Sequence, residues 1–239
     1  MPTDNNSEKE KGKRSEEVAQ WYFRLNGFFC LPSYIVHKDW IADKPRTEAD
    51  LIAVRMSGTK EYINNERLED DNIIQTACKG SGTGIFKHLF ALVEVKSGEC
   101  KINGPWSNKN EENIHRAVAR MGFANDNQIE DIAQCIYNEL RWEGKDFIVQ
   151  YFCIGKWRNK ELASKPELVQ ITFDQIADFL YCRFYKFPEK IPAWPILDEQ
   201  WPGFGGGFAH WFDARRHNSE ITEELCRKAV INYIYTGKL

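Results

Sequence analysis

The stretch Leu89–Lys96 reads LFALVEVK and predicts the centre of the fold. Its first five residues are all apolar, which is typical of a strand that is buried on both faces of a sheet. Polar residues enter only at its end, as Glu94 and Lys96. Side chains i and i+2 of a strand share a face, so these two project together while Val95 points into the core on the other side. The stretch therefore predicts a central strand with a carboxylate and an ammonium at its polar end.

The spacing Glu-x-Lys occurs three times in the chain, at 94–96, 99–101 and 143–145. The second lies in a loop after a glycine, and the third lies in a turn after a helix. Only the first ends an apolar strand, and only the first has an acid that opens another apolar strand upstream. That acid is Asp50, in the stretch EADLIAV at 48–54. The alternative interpretation is a surface ion pair, which would contribute about 0–1 kcal/mol.

Hydrophobic periodicity predicts the other elements. A first helix is expected from about Ser15 to Asn26, capped by Ser15 and ended by Gly27. Further strands are expected at 28–36, 50–56, 147–154 and 168–171, and further helices at 110–121, 127–142, 172–186 and 219–235. The segment 188–212 is rich in Pro, Gly and Trp and is expected to be an irregular arm pinned by its aromatic residues. This order predicts an α/β fold, a mixed β-sheet flanked by helices on both sides.

The same pattern divides the chain into three parts. Residues 1–14 are expected to be a flexible tail of mixed charge, and residues 15–171 a core with an insertion at 57–88 that could cover or reshape the site. Residues 172–239 are expected to form a C-terminal helical extension packed on the core. The stretch GFGGGF at 203–208 is expected to be a hinge or packing turn, because it lacks the strand and the Gly-Lys-Ser/Thr of a phosphate-binding loop.

The composition of the chain says more about its location in the cell than about its function. The chain has 239 residues and a net charge of −3, and the segment 60–71, with five acids and two bases, carries that whole excess. A nuclease that contacts few phosphates needs no large positive charge, so this balance neither supports nor excludes one. Seven cysteines without a CxxC pair, no signal peptide and no apolar run of about 18 residues predict a cytoplasmic protein with reduced thiols and no membrane partner. The oligomeric state stays open.

The stretch SEEVAQWYF at 15–23, ending at Gly27, adds a helix motif to the Asp-led strand and the Glu-x-Lys strand. Together the three resemble the PD-(D/E)XK nuclease superfamily, the restriction endonuclease-like proteins. The resemblance covers about residues 12–156, and the arm after it resembles uncharacterised bacterial members. Two departures stand out: Ala49 replaces the first proline of the motif, and the insertion between Asp50 and Glu94 is long.

The resemblance implies a metal-dependent phosphodiester hydrolase that acts on DNA. It implies catalytic roles for Asp50, Glu94, Lys96 and Glu16, with Glu16 rather than Glu17 at the helix acid. Asp50, Glu94 and the carbonyl of Val95 would hold Mg²⁺ or Mn²⁺, which prefer hard oxygen ligands. Lys96 would orient the attacking water or stabilise charge on the phosphate. We expect the two carboxylates to converge from adjacent strands, with Glu16 facing the same cleft and Glu17 facing solvent.

Several other basic and aromatic residues are weaker candidates for nucleic-acid contacts. Lys109, His115, Arg116 and Arg120 lie on or before the helix after the Glu-x-Lys strand, and the alternative interpretation is a solvated helix face. Acids interleave the basic residues at 9–14. Trp194, Trp201 and Trp211 offer rings for base stacking, although sealing the core is the alternative.

An alternative function belongs to a different class: a non-catalytic nucleic-acid-binding or protein-interaction module on the same fold. The intact set of Asp50, Glu94 and Lys96 favours the enzyme, because a pure binder needs no such set. The neutral charge balance slightly favours the alternative.

Overall fold

In the computed structural model, which describes residues 5–36, 47–191, 200–217 and 221–239, the chain forms a mixed six-stranded sheet with helices on both faces. The sheet strands are β1 (Phe29–Val36), β2 (Thr47–Arg55), β5 (His88–Val95), β6 (Arg141–Glu143), β7 (Phe147–Gly155) and β8 (Val169–Thr172). A separate small hairpin contains β3 (Tyr62–Ile63) and β4 (Glu66–Arg67). The helices are α1 (Asn5–Leu25), α2 (Asn72–Ala77), α3 (Gly104–Ser107), α4 (Asn113–Met121), α5 (Asp126–Glu139), α6 (Phe173–Lys186), α7 (Phe204–Arg216) and α8 (Glu223–Thr236).

The strand order places β5 at the centre, as its apolar sequence predicts. The order is β1-β2-β5-β7-β6, and β8 pairs with the second half of β7. Strand β2 is antiparallel to both of its neighbours, β1 and β5. Strand β7 is parallel to β5 and to β8. The end of β1, the start of β2 and the ends of β5, β7 and β8 therefore meet at one edge of the sheet, which we call the site edge.

Two hydrophobic layers enclose the sheet. Alternate residues of β5 divide between them: Val93 and Val95 face α1 and the C-terminal helices, and Phe90 and Leu92 face α3, α4 and α5. The sequence prediction that Val95 points into the core is confirmed by its 6% exposure. This two-sided burial explains why β5 and β7 are mostly apolar.

The first helix begins earlier than predicted. Residues 5–14, expected to be part of a flexible tail, form the first turns of α1, and Ser15 is inside the helix, where its Oγ donates to the carbonyl of Lys11 at 2.9 Å. Ser15 is therefore no cap. Gly27 does end this helix region, in a left-handed conformation with φ of 78°.

The stretch GFGGGF is helical, which corrects the expectation of a turn within an irregular arm. Phe204 opens α7, and Gly205 lies so close to the ring of Trp21 that a Cβ atom would overlap it. Glycine is unfavourable in a helix by about 1 kcal/mol relative to alanine. Here burial of Phe204, Phe208 and Phe212 in the core offsets that cost. Within the rest of the predicted arm, residues 188–190 form a short 3-10 turn and residues 192–199 are outside the described residues.

The insertion after β2 lies at the opposite edge of the sheet from Asp50, because it joins the end of β2 to the start of β5. Its acidic segment is held there by two buried arginines of the core. Arg55 pairs with Asp70, and Arg183 donates to the carbonyl of Glu69 at 2.7 Å. The expectation that the insertion could cover the site is therefore wrong for its described residues. Strand β6 is a further correction, since its residues were expected to continue a helix to Trp142.

Within the part of the chain that the structure describes, no helix has the length and apolar character that spanning a membrane requires.

Candidate active site at the edge of the sheet

Asp50 and Glu94 lie on neighbouring strands at the site edge. The antiparallel register pairs Leu51 with Val93, so the next position of each strand brings Asp50 opposite Glu94. On the other side of β2 the ladder is interrupted at this level. Ser33 of β1 adopts a left-handed conformation with φ of 51°, between the paired residues Pro32 and Tyr34.

Lys96 joins the two carboxylates. Its ammonium forms an ion pair with Glu94, and its Nζ lies 3.9 Å from Oδ2 of Asp50. The side chains differ in exposure: that of Glu94 is 1% exposed, that of Asp50 14% and that of Lys96 27%. The carboxylates therefore lie at the base of the site, and the ammonium lies towards solvent. The structure brings together the three residues that the sequence pattern singled out.

The backbone of Val95 also faces this site. Lys96 N–H donates to the Ile154 carbonyl at 2.9 Å. In the parallel pairing of β5 with β7, the backbone N–H and C=O groups of every second residue of β5 point towards β7. Val95 accordingly directs its peptide groups to the side of β2, where its N–H donates to Oδ2 of Asp50 at 2.7 Å. The Val95 carbonyl is thus on the correct side of β5 to be the third oxygen ligand that the resemblance implies.

The helix α1 places Glu16 and Glu17 on different sides. Glu16 lies within electrostatic range of Asp50, Glu48 and Lys96. Glu17 accepts hydrogen bonds from the N–H of Phe204 at 2.7 Å and the hydroxyl of Tyr233 at 2.5 Å. Glu16 is therefore the helix residue at the site, as the register of the motif predicts. The expectation that Glu17 faces solvent is wrong, because it fastens α1 to α7 and α8.

Burial and mutual repulsion change the acidity of the cluster. Burial, and then the carboxylate of Asp50, raise the pKa of Glu94 from 4.5 to about 7, against the opposing effect of Lys96. Burial, then Asp50 and Glu48, raise the pKa of Glu16 from 4.5 to about 7. Burial also raises the pKa of Asp50, and the Val95 N–H and Lys96 oppose the rise. Three acids that resist ionisation together mark a site suited to an added positive charge.

Two neighbours of Glu94 were missed by the sequence analysis. Tyr151 of β7 is buried, and its pKa is raised well above the ordinary value. Burial is the largest cause of this rise, and the carboxylate of Glu94 is the second. Trp106 of α3 lines the same small cavity as Glu94 and donates its Nε1–H to the Glu48 carbonyl at 3.3 Å. Neither contact has a local sequence signal, because both come from pairings across the fold.

The donor set fits a hard divalent cation. Among the residues that the structure describes, no three His, Cys, Asp or Glu side chains form a complete metal-binding group. Mg²⁺ usually takes only one or two protein carboxylates, with water and substrate phosphates as its other ligands. Asp50, Glu94 and the Val95 carbonyl meet that requirement, and burial, which raises the pKa of both carboxyl groups, favours their pairing with added positive charge.

The candidate nucleic-acid residues on α4, and Lys109 just before it, all have partners within the protein. Lys109 donates to Asn138 at 2.7 Å, His115 contacts Glu130 at 2.9 Å, and Arg116 lies 3.5 Å from Glu112. Arg120 is exposed and lies over the ring of Tyr34, which pairs with Ala49 beside Asp50. Only Arg120 is thus placed next to the site, and nucleic-acid contact by these residues stays a prediction.

The described tryptophans of the C-terminal region belong to the core. Trp211 is 8% exposed, and Trp201 packs against Trp21 with ring centroids 5.1 Å apart. These positions favour the sealing role over base stacking. Trp194 is outside the described residues.

No protein-family model, curated protein or solved structure matches this chain. Membership of the PD-(D/E)XK superfamily therefore stays a prediction from the sequence pattern. What the chain does must be inferred from the residues at the site edge.

The metal-free protein is expected to lose stability as the pH rises from about 5 to about 8. The pKa values of Glu16 and Glu94 are higher in the folded chain than their ordinary 4.5, so the folded state holds more protons than the unfolded state in this range. The stabilisation is complete below about pH 4.5 and is lost as the pH passes 7. Thermal unfolding in a chelator, measured across this range, provides the test.

Glu16→Gln and Glu94→Gln should each make the unfolding temperature less dependent on pH than it is in the wild type. Glu17→Gln is the matched control from the next position of α1. It should lower the unfolding temperature at every pH, because it weakens the contacts with Phe204 and Tyr233, and should leave the pH dependence unchanged. An unchanged pH dependence in both site variants would contradict the proposed repulsion.

Proposed function

We propose that this protein is a metal-dependent phosphodiester hydrolase that cleaves DNA, on a restriction endonuclease-like fold. One observation carries the proposal: Asp50 of β2 converges with Glu94 and Lys96, at the end of β5, at one edge of the sheet, with Glu16 of α1 in electrostatic range. The Glu94 carboxylate is only 1% exposed and lies beside other acids, and burying a carboxylate there costs free energy of folding. An ordinary surface ion pair offers no reason for that cost, whereas a site for cationic chemistry does.

Asp50, Glu94 and the Val95 carbonyl are the residues that would hold Mg²⁺ or Mn²⁺. When bound, such an ion polarises a phosphoryl oxygen and lowers the pKa of coordinated water. The Val95 N–H fixes Oδ2 of Asp50 at 2.7 Å, so that this carboxylate keeps its orientation without reorganisation. The inner side of Glu94 faces a small cavity whose lining includes Leu92 and Trp106.

Lys96 supplies the mobile positive charge of the site. Its side chain is partly exposed, and its flexible stem lets the ammonium reach a phosphate or an attacking water in front of the carboxylates. An ammonium at this position stabilises the charge that develops on the phosphate oxygens during attack. Glu16 offers a further carboxylate, which can hold a proton or support a second cation.

The purified protein is expected to nick or cut DNA in Mg²⁺ or Mn²⁺, and EDTA should stop the reaction. The physical reason is that the carboxylates need a divalent cation before an anionic phosphodiester can approach them. The measurement is cleavage of supercoiled, linear, single-stranded and branched DNA on gels, with RNA in parallel. Absence of cleavage on all of these, together with no uptake of Mn²⁺, would favour the alternative interaction module.

A further inference from the structure

A group of aromatic and basic residues lies at the same edge of the sheet, and Trp157, Arg158 and Tyr235 among them are exposed. Trp157 is 56% exposed and stands between Lys156 and Arg158, directly after β7. The Lys156 ammonium lies 4.7 Å from the centre of the Trp157 ring and 4.9 Å from that of Tyr235. Lys11 of α1 lies 4.9 Å from the same Tyr235 ring, and its ammonium, on a side chain that is 16% exposed, pairs with Glu8 at 2.8 Å. We call these five residues the aromatic–basic edge.

The backbone under this surface is firmly held, so the exposure of Trp157 is not that of a loose loop. The Trp157 carbonyl accepts from the N–H of Cys100 at 2.8 Å, and the N–H of Lys156 donates to the Gly98 carbonyl at 2.6 Å. At Gly155 a Cβ atom would lie 2.7 Å from the Gly98 carbonyl oxygen. The segment after β5 and the segment after β7 are therefore packed as closely as glycine permits.

The helices on one face fix the other half of the surface. Arg14 of α1 donates from Nε to the Ile234 carbonyl at 2.8 Å and from Nη2 to the Tyr235 carbonyl at 3.3 Å. These bonds satisfy carbonyls in the last turn of α8, where a cation also complements the helix dipole. They hold the 40% exposed Tyr235 beside the start of α1.

The aromatic–basic edge is continuous with the candidate active site. Lys96 hydrogen-bonds to Ile154 of β7, only two residues before Lys156. Neighbouring strands are about 4.8 Å apart and each residue advances about 3.3 Å, so Trp157 lies roughly 10 Å from Lys96. Lys11 precedes Glu16 by five residues, about 7.5 Å along the helix axis. These spans correspond to a few nucleotides of a single strand.

We infer that the aromatic–basic edge binds an unpaired strand of DNA and leads it to the site of Asp50, Glu94 and Lys96. The inference rests on the proposed function and specifies its substrate class. Trp157 and Tyr235 offer faces for unstacked bases, while Lys156 and Arg158 offer positive charge to the phosphates. In a continuous duplex the bases are stacked on each other and their faces are unavailable, so the edge favours single strands, flaps or frayed ends.

The test is binding in EDTA, where hydrolysis does not contribute, using fluorescence anisotropy of a labelled oligothymidylate and a blunt duplex of equal length. The wild type should bind the single strand more tightly than the duplex. Trp157→Ala should weaken single-strand binding about tenfold, a loss within the range of base stacking on aromatic side chains. Lys156→Ala with Arg158→Ala should also reduce the salt dependence of binding, with a slope change of about 1.4 for two lost phosphate contacts.

Two exposed residues at the far end of α6 are matched controls. Tyr185 is an aromatic residue that is 63% exposed, which matches Trp157. The Lys186 ammonium lies 5.1 Å from the centre of the Phe187 ring, so this lysine, like Lys156, contacts an aromatic ring. Tyr185→Ala and Lys186→Ala should leave binding unchanged. Equal binding of duplex and single strand, or single-strand binding that Trp157→Ala leaves intact, would overturn the inference. Trp157-dependent binding by a protein that cleaves nothing would uphold it and refute only the proposed hydrolase activity.

Discussion

Lys96→Ala is expected to lower the rate of DNA cleavage by about 100- to 1000-fold or more, as does removal of a preorganised group that stabilises transition-state charge. Lys96 bridges the carboxylates of Glu94 and Asp50 and carries the ammonium nearest to both. The measurement is the single-turnover rate at saturating enzyme, which separates the chemical step from substrate binding. Substrate affinity in EDTA should change far less than the rate.

The fold should survive this change for two reasons. The backbone N–H of Lys96 bonds to Ile154 whatever the side chain is, and Glu94, with a pKa of about 7, can take up a proton when its cation is removed. Lys96→Met, which keeps the apolar stem over Glu94, provides a second variant, and circular dichroism checks both.

Lys145→Ala is the matched control, because Lys145 belongs to another Glu-x-Lys stretch and is exposed in the turn before β7. It should cleave like the wild type. Cleavage by folded Lys96→Ala at a rate close to that of the wild type would rule out a catalytic role for Lys96.

Asp50→Asn is expected to weaken Mn²⁺ binding by at least about tenfold and to abolish cleavage with it. The substitution removes one negative charge from a hard-oxygen site, and Mg²⁺ and Mn²⁺ select such oxygen donors. It keeps the shape of the side chain and an oxygen that can still accept from the Val95 N–H, so the local strand geometry is preserved. Isothermal titration calorimetry with Mn²⁺ gives the affinity without any assumption about the substrate.

The thermal stability of the same proteins gives an independent readout. Mn²⁺ at about 100 times its dissociation constant should stabilise the wild type by about 2.7 kcal/mol and raise its unfolding temperature. The effect should be largest near pH 8, where Glu16 and Glu94 are ionised, and should nearly vanish in Asp50→Asn. Asp146→Asn, an exposed acid before β7 at the opposite edge, should respond like the wild type. Equal stabilisation of Asp50→Asn and the wild type would place the ion elsewhere.

Much of the site could be predicted because it depends on short-range geometry. Side chains alternate between the two faces of a strand, so a strand at Leu89–Lys96 has Glu94 and Lys96 on one face and Val95 on the other. The structure agrees. The pairing of Asp50 with the same site followed from an acid that opens one apolar strand and a Glu-x-Lys pair that ends another. The choice of Glu16 over Glu17 came from a motif register, since both acids suit the first helix equally well by composition.

Other elements were set by distant parts of the chain. The glycines after Gly203 indicated a turn, yet the core around Trp21 made this segment a helix. Glu17 was expected to face solvent because nothing in α1 reveals that Phe204 and Tyr233 would cover it. No local sequence signal placed the exposed Trp157 at the same edge of the sheet as Lys96, because that placement depends on the parallel pairing of β5 with β7.

The sequence by itself determined the central strands β2, β5 and β7 and the face on which each site residue of those strands projects, because the two-residue repeat of a strand is a property of the backbone. The tertiary structure decided which acids are buried, which cation lies between them and which rings stand at the same edge. The raised pKa values of Glu94 and Glu16 result from this tertiary packing. Desolvation and charge repulsion depend on what packs around a group, and here those neighbours come from α1, β2, β5 and β7, which are far apart along the chain.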